Sequence, residues 1–252
     1  IIKPKKYAIS LYKKAARFIV LLFSVLLVGC NKKSPYLLPD TSGYTGDDTV
    51  PYSTASLGYT AEAIERAESI LDGMSLEEKV GQMFLARCPK KNALEDIETY
   101  HLGGYILFAD DFKSESKPSM RTKTDSYQNA SKIPMLIGVD EEGGRVVRIS
   151  KYKAFRQSPF LPPRELFAAG GFELIKSDTE EKCELLASLG VNLNIAPVCD
   201  ISADSRDYIY DRTFGGSAAQ VSEYVRLVTQ TMQENNISAV LKHFPGYGSN
   251  RD

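Results

Sequence analysis

From residue 60 onward, short apolar runs alternate five times with stretches of helical period, and this alternation decides what the chain can fold into. The runs cover residues 83–86, 105–109, 134–139, 193–198 and 238–242, each bounded by turn-forming residues. Helical periodicity falls near 92–101, 118–130, 173–189 and 218–235. Strands apolar on both faces and separated by helices predict a parallel sheet with helices outside it. Five such units fit either an open doubly wound sheet or most of a (β/α)8 barrel. The polar residues favour the barrel. Asp110 and Asp111 follow the second run, the Asp140-Glu-Glu-Gly-Gly-Arg145 segment the third, Asp200 the fourth and His243 the fifth. In a barrel these C-terminal strand ends converge on one face, where active sites sit. An open sheet would instead gather its ligand groups at one switch point. No G-x-G-x-x-G or P-loop follows the first run, so a nucleotide site lacks its signature.

Two helix starts precede the first run. Thr60 can cap a helix whose apolar face is Ala63, Ile64, Ala67, Ile70 and Leu71. Ser75 and Glu78 have the spacing of a capping box. His101, just before Gly103, reads as the C-terminal end of a helix and is assigned no chemistry.

The first 59 residues have a different character. Lys3, Lys5, Lys6, Lys13, Lys14 and Arg17 precede an apolar stretch over 18–28 in which only Ser24 is polar. A basic segment followed by an apolar run too short to span a bilayer reads as a secretory signal. The run ends in Leu27-Val-Gly-Cys30, which resembles the lipobox of bacterial lipoproteins. That resemblance implies lipid attachment to Cys30, cleavage before it, and an extracytoplasmic protein anchored to the membrane. An ordinary signal peptide with Cys30 present by chance is the alternative. Residues 1–30 are thus expected to be a signal peptide. Residues 31–59, dominated by Ser, Thr, Gly, Pro and Asp, are expected to be a flexible linker. The alternative is a loop packed on the domain through Tyr36, Tyr44, Tyr52 and Tyr59.

Composition narrows the function classes. A hydrophobic fraction of 43% with 25% charged residues is that of a globular chain. The formal net charge of −1 gives no electrostatic reason to expect a nucleic-acid partner. Four cysteines are too few for a disulfide scaffold, and Cys183 and Cys199 sit in apolar patterns as small hydrophobes. No CxxC or His/Cys cluster occurs, so no metal site is expected.

Four ordered segments carry a resemblance. They are Met74-Ser-Leu-Glu-Glu-Lys-Val-Gly-Gln-Met83, Ile137-Gly-Val-Asp-Glu-Glu-Gly-Gly-Arg-Val-Val-Arg148, Asn192-Leu-Asn-Ile-Ala-Pro-Val-Cys-Asp200 with Tyr210-Asp-Arg-Thr-Phe-Gly215, and Lys242-His-Phe-Pro-Gly-Tyr-Gly-Ser-Asn-Arg-Asp252. Together they resemble glycoside hydrolase family 3. The Pro-Gly after Lys242-His-Phe is similar to the β-N-acetylhexosaminidase branch, although Tyr247 stands where that branch more often has His. The resemblance spans residues 60–252 and implies a TIM-like (β/α)8 barrel, here truncated after about the fifth strand, and a retaining hydrolysis without cofactor. It implies that Asp140, Arg148, Arg212, Lys242 and His243 bind the sugar. For Arg148 and Arg212 the plainer reading is a structural ion pair, and for Asp140 a helix cap.

The resemblance also places Asp252 as the partner of a general acid/base His two positions further on, with a nucleophilic Asp later still. The chain opens on Ile1 and stops at Asp252, so it reads as a fragment that is inactive alone. The implied whole enzyme removes terminal β-linked N-acetylglucosamine, with peptidoglycan fragments as substrates. A family 3 β-glucosidase or xylosidase is the alternative enzyme. A lipid-anchored sugar-binding protein is the alternative outside catalysis.

Overall fold

The computed structural model describes residues 60–248. The expected signal peptide, Cys30, the expected linker and Asp252 lie outside them. The chain divides into two compact units, residues 1–79 and 80–252.

The described part of the first unit carries both expected helix starts. Thr60 Oγ1 accepts the amide hydrogen of Ala63 at 3.2 Å and opens helix α1, Ala61–Asp72. Along α1 the expected apolar face is the less exposed one, with Ala67 buried. Ser75 and Glu78 form the reciprocal box that opens α2, Leu76–Gly81. The Ser75 amide donates to Glu78 Oε2 at 2.7 Å, and the Glu78 amide donates to Ser75 Oγ at 3.2 Å.

The second unit is built on five strands: β1 (Leu85–Arg87), β2 (Gly104–Leu107), β3 (Leu136–Val139), β4 (Leu193–Asn194) and β5 (Ser238–Ala239). They pair in sequence order, and every pair is parallel. A doubly wound sheet reverses its order at a switch point; this sheet does not, so among the described residues it is a run of four consecutive β/α units of a barrel and a fifth strand. The connecting helices are α3 (Ala93–Tyr100), α4 (Ala109–Phe112), α5 (Lys117–Ala130), α6 (Pro163–Ser188) and α7 (Ala218–Glu234). The core lies between sheet and helices. Tyr105, Leu107, Ile137 and Val139 from the strands meet Phe112, Met120, Leu186 and Leu189.

Three details differ from the expected pattern, each for a local reason. The fourth and fifth runs are shorter as strands because Pro197 has no amide hydrogen and interrupts the ladder. Pairing resumes beyond it, where Lys242 N donates to Pro197 O at 3.2 Å and Cys199 N to Lys242 O at 2.6 Å. The helix expected from residue 173 is preceded by another turn of helix starting at Pro163, and the two are separated by non-helical Gly170 and Gly171. Ala109, expected to end a strand, instead begins α4. Asp111 Oδ2 accepts the Phe108 amide hydrogen there at 2.7 Å. His101 does end α3, through its left-handed backbone at φ 52°, ψ 42°.

The sheet is braced by buried polar groups. Asn192 bridges to β3 by accepting from Ile137 N (2.8 Å) and donating to Met135 O (2.9 Å). Within α6, Lys182 and Asp178 form a buried pair at 3.1 Å, and the same ammonium reaches the carbonyl of Glu142 at 3.4 Å. Truncating one member strands the other as an uncompensated charge. Lys182→Ala should therefore lower unfolding stability by about 3 kcal/mol. Lys182→Met combined with Asp178→Leu should recover most of it. Urea unfolding of the three proteins measures both.

Candidate active site

Three loops at the C-terminal ends of neighbouring strands bring their side chains into one connected network. The loop after β3 supplies Asp140, Glu142 and Arg148. The segment after β4 supplies Asp200, and Arg212 from a 3-10 turn over Tyr210–Arg212. The chain beyond β5 supplies Lys242 and His243.

The β3 loop is shaped from within. Glu141 is fully buried, and its carboxylate accepts the amide hydrogens of Arg148 (2.8 Å), Ile149 (2.8 Å) and Ser150 (3.2 Å) together with the Ser150 hydroxyl. Asn194 clamps the backbone of the same residue, accepting from Glu141 N at 3.0 Å and donating to Glu141 O at 3.1 Å. Gly143 completes the turn at φ +103°, where a Cβ would lie 2.2 Å from the Leu161 carbonyl oxygen. These constraints fold residues 140–150 back so that Arg148 faces Asp140 at 3.9 Å.

Lys242 sits between two carboxylates, 2.7 Å from Asp140 Oδ1 and 2.5 Å from Glu142 Oε1. Glu142 also holds Arg212 through two parallel bonds, Nε to Oε2 at 3.0 Å and Nη2 to Oε1 at 2.9 Å. Arg212 Nη2 lies 3.2 Å from His243 Nε2, and His243 Nδ1 lies 2.7 Å from Asp200 Oδ2. Asp200 further accepts the backbone amide hydrogens of His243 (3.0 Å) and Tyr247 (2.7 Å). Burial works to raise the Asp200 pKa, but the His243 ring and these two amides outweigh it and hold the carboxyl below its ordinary value.

Exposure divides the network into a floor and a rim. The side chains of Glu142 and Asp200 are 3% and 5% exposed, whereas those of Asp140, Arg148 and His243 reach 17%, 28% and 28%. The buried carboxylates hold; the rim residues are the ones open to solvent. Three carboxylates face three cations, so the acidic and basic side chains of the cluster balance in number. It alternates donors and acceptors around a small area, which suits a neutral ligand rich in hydroxyl groups.

All five expected sugar-binding residues among the described ones therefore converge. The structural ion pair weighed for Arg212 is also present, with Glu142, and serves the same site. Two participants received no role from sequence. Glu142 is hidden inside Asp140-Glu-Glu, and Asp200 was visible only as an acid ending a strand. The signal that both carry is a carboxylate beside a buried strand, which needs cationic or amide partners. Asp110 and Asp111 are not in the network; they belong to α4.

The Asp200–His243 pair has a direct spectroscopic consequence. With Nδ1–H donating to Asp200 and Nε2 accepting from Arg212, neutral His243 is held in the Nδ1–H tautomer. The chain contains only two His, so side-chain 15N spectra distinguish His243 from His101. In its neutral form His243 should show an unprotonated Nε2, and Asp200→Asn should abolish that preference while leaving His101 unchanged. The depressed Asp200 pKa gives stability that is present above the ordinary carboxylate range and lost as pH falls through the folded-state value. Asp200→Asn should remove that acid-side dependence in unfolding measured against pH.

Comparison with known proteins places this geometry. Residues 75–251 match the family described as glycosyl hydrolase family 3 N terminal domain. A β-hexosaminidase of Photobacterium profundum is 31% identical over 156 residues, covering 61% of this chain and 44% of that protein. The β-hexosaminidase LpqI of Mycobacterium tuberculosis is 28% identical over 153 residues, covering 60% of this chain and 38% of that protein. The solved structure of M. tuberculosis LpqI superposes with a TM-score of 0.62 at 26% identity, over 71% of this chain and 51% of that one. A family 3 β-N-acetylglucosaminidase from Paenibacillus sp. gives 0.62 at 27% identity, over 70% of this chain and 34% of that one. The chain thus spans less than half the length of the curated relatives it matches. With the family match covering most of its residues, and with five parallel strands of the expected barrel in order, the chain belongs to glycosyl hydrolase family 3.

Proposed function

We propose that this chain supplies the sugar-holding part of a retaining, exo-acting β-N-acetylglucosaminidase. The observation that carries the reading is the unbroken path Asp140–Lys242–Glu142–Arg212–His243–Asp200, which joins three strand ends around a rim whose acidic and basic side chains balance in number. Similarity to proteins named β-hexosaminidase supports the sugar class, and the Pro-Gly after Lys242-His-Phe supports the branch.

Each group has a defined task in that reading. Asp140 accepts hydrogen bonds from adjacent hydroxyls of the terminal sugar. Lys242 and Arg148 donate to the hydroxyl oxygens. His243 Nε2 accepts from a third hydroxyl, in place of Arg212. Glu142 holds Lys242 and Arg212 in place, so little rearrangement remains when the ligand enters. Glycosidases of most families then use two carboxyl groups. Here Asp252 orients a His acid/base that follows it, and the nucleophilic Asp follows later. The imidazole suits protonation of a glycosidic oxygen near neutral pH, because its ordinary pKa is about 6.5.

Location follows the same proposal. Cys30 carries the lipid, residues 31–59 tether the domain outside the cytoplasmic membrane, and peptidoglycan fragments are the substrates within reach. Expression in bacteria with a clickable fatty acid should label the protein, and Cys30→Ala should lose the label. Label retained on the variant overturns the anchor.

Two measurements address the activity. The 252-residue chain should not turn over a chromogenic β-N-acetylglucosaminide, whereas a chain extended through the acid/base His and the nucleophile should. The extended chain should prefer that substrate to the β-glucoside. Full-rate turnover by the 252-residue chain, or preference for the glucoside, overturns the reading. Asp140→Asn should weaken N-acetylglucosamine binding about tenfold or more, the scale of a hydrogen bond to a charged group.

A further inference from the structure

We propose that Arg164, at the start of α6, is the positioning residue for Arg212: it pins both ends of the short turn that presents Arg212 to the strand-end network. The inference rests on the sugar reading of that network and adds to it a residue outside the path from Asp140 to Asp200.

Arg212 is carried by the 3-10 turn over Tyr210–Arg212, and none of the three residues of that turn is buried. Packing of their own side chains therefore does not set how the turn is rotated. The Arg164 guanidinium does. Its Nη1 donates to the Tyr210 hydroxyl at 3.2 Å, and its Nη2 donates to Thr213 Oγ1 at 2.8 Å. The Thr213 hydroxyl relays the contact by donating to the Tyr210 carbonyl oxygen at 2.9 Å, and the Thr213 amide donates to the same oxygen at 3.1 Å. One planar fork thus grips Tyr210 and Thr213, with Asp211 and Arg212 between them. Arg164 Cζ also lies 4.2 Å from the Tyr210 ring centroid. Just past the turn, Gly215 has φ +81°, and a Cβ there would lie 2.8 Å from Arg164 Cζ, so the chain passes against the guanidinium only as glycine. The fork has a firm base, because Pro163 and Leu166 beside it in α6 are buried.

Stability alone does not account for this arrangement. The two hydrogen bonds of the half-buried Arg164 go to neutral hydroxyls, and its Nε is buried without a hydrogen-bond partner. A cation answered by neutral groups, with one donor unmet, is a costly way to tie down a loop. The gain lies further along. From this turn Arg212 reaches Glu142 by two bonds, and its Nη2 lies 3.2 Å from His243 Nε2. A single contact would fix where the turn lies, whereas two donors in a rigid fork also fix its rotation. Two arginines in series therefore place the donor that faces His243.

The test follows N-acetylglucosamine titration, the side-chain 15N resonances of His243 and urea unfolding on the full chain. Arg164→Ala should weaken N-acetylglucosamine binding by the folded protein about fivefold, the scale of coupling within one bonded network. It should also move the His243 Nε2 resonance toward that of an imidazole nitrogen without a donor, while the Nδ1–H bond to Asp200 persists. Arg164→Lys keeps the charge and most of the stem but cannot span both hydroxyls. It should repeat both effects, and it decides the question if the alanine variant does not fold. A purely structural role would lower the urea midpoint and leave affinity and resonance as in the wild type. Either quantity at its wild-type value in a folded variant overturns the assignment while leaving the sugar site standing. Absence of N-acetylglucosamine binding by the wild type overturns the sugar reading, and the His243 resonance then decides the positioning role by itself.

Discussion

The buried carboxylate of Glu142 is the constraint on which the site depends. It is shared by Arg212, through two bonds, and by Lys242. An ion removed from water loses several kcal/mol of hydration, and only close, well-directed partners offset that loss. Glu142 has two, and they arrive from different strands. The charge of one residue on the β3 loop therefore fixes where the loops after β4 and β5 must come. Removing it would leave two cations facing each other beneath the rim.

Much of this was legible from the pattern of the chain. Apolar runs bounded by turn residues located all five strands, and sequential parallel order followed from the barrel expectation. The strand-end polar residues located the site, since Asp140 and His243 each follow a run and Lys242 ends one. What stayed hidden depends on three-dimensional closure. Nothing in Asp140-Glu-Glu indicates that Glu141 turns inward to bind its own loop while Glu142 reaches across to Arg212. The two carboxylates are chemically alike, and only the backbone direction after β3 separates them. The first turns of α6 were missed for a different reason. Its helical period is broken by Gly170 and Gly171, so residues 163–169 do not continue the pattern read from 173 onward.

The adjacent acids Asp140 and Glu141 also show how stability and binding are separated in one loop. Glu141 is satisfied by amides and a hydroxyl of its own loop, and its contacts concern folding. Asp140, one position earlier, is answered by Lys242 and, more distantly, Arg148, both partly open to solvent. A buried carboxylate with full local satisfaction gains nothing from a ligand. A rim carboxylate whose partners are partly open to solvent can exchange part of that pairing for hydroxyl groups. Successive residues of a strand end point in opposite directions, so the chain obtains both from adjacent positions.

The charge balance of the rim bears on which ligands it can select. A cluster with excess positive charge would favour any anion, and one with excess negative charge any cation. Here each cation already has a carboxylate within 4 Å, so a charged ligand must break an ion pair to enter. A polyhydroxylated ring need not. It can insert donors beside Asp140 and His243 and acceptors beside Lys242 while the pairs to Glu142 persist. Selectivity for such a ring then depends on how many of its hydroxyls find a complementary group, because an unmatched buried polar atom carries its full desolvation penalty. The orientation of His243 matters most for this reason. Lys242 and Arg148 can only donate, ionised Asp140 can only accept, and the imidazole alone could present either role to the ligand. Asp200 fixes that role as acceptor, and so completes the pattern of donors and acceptors that the ligand must match.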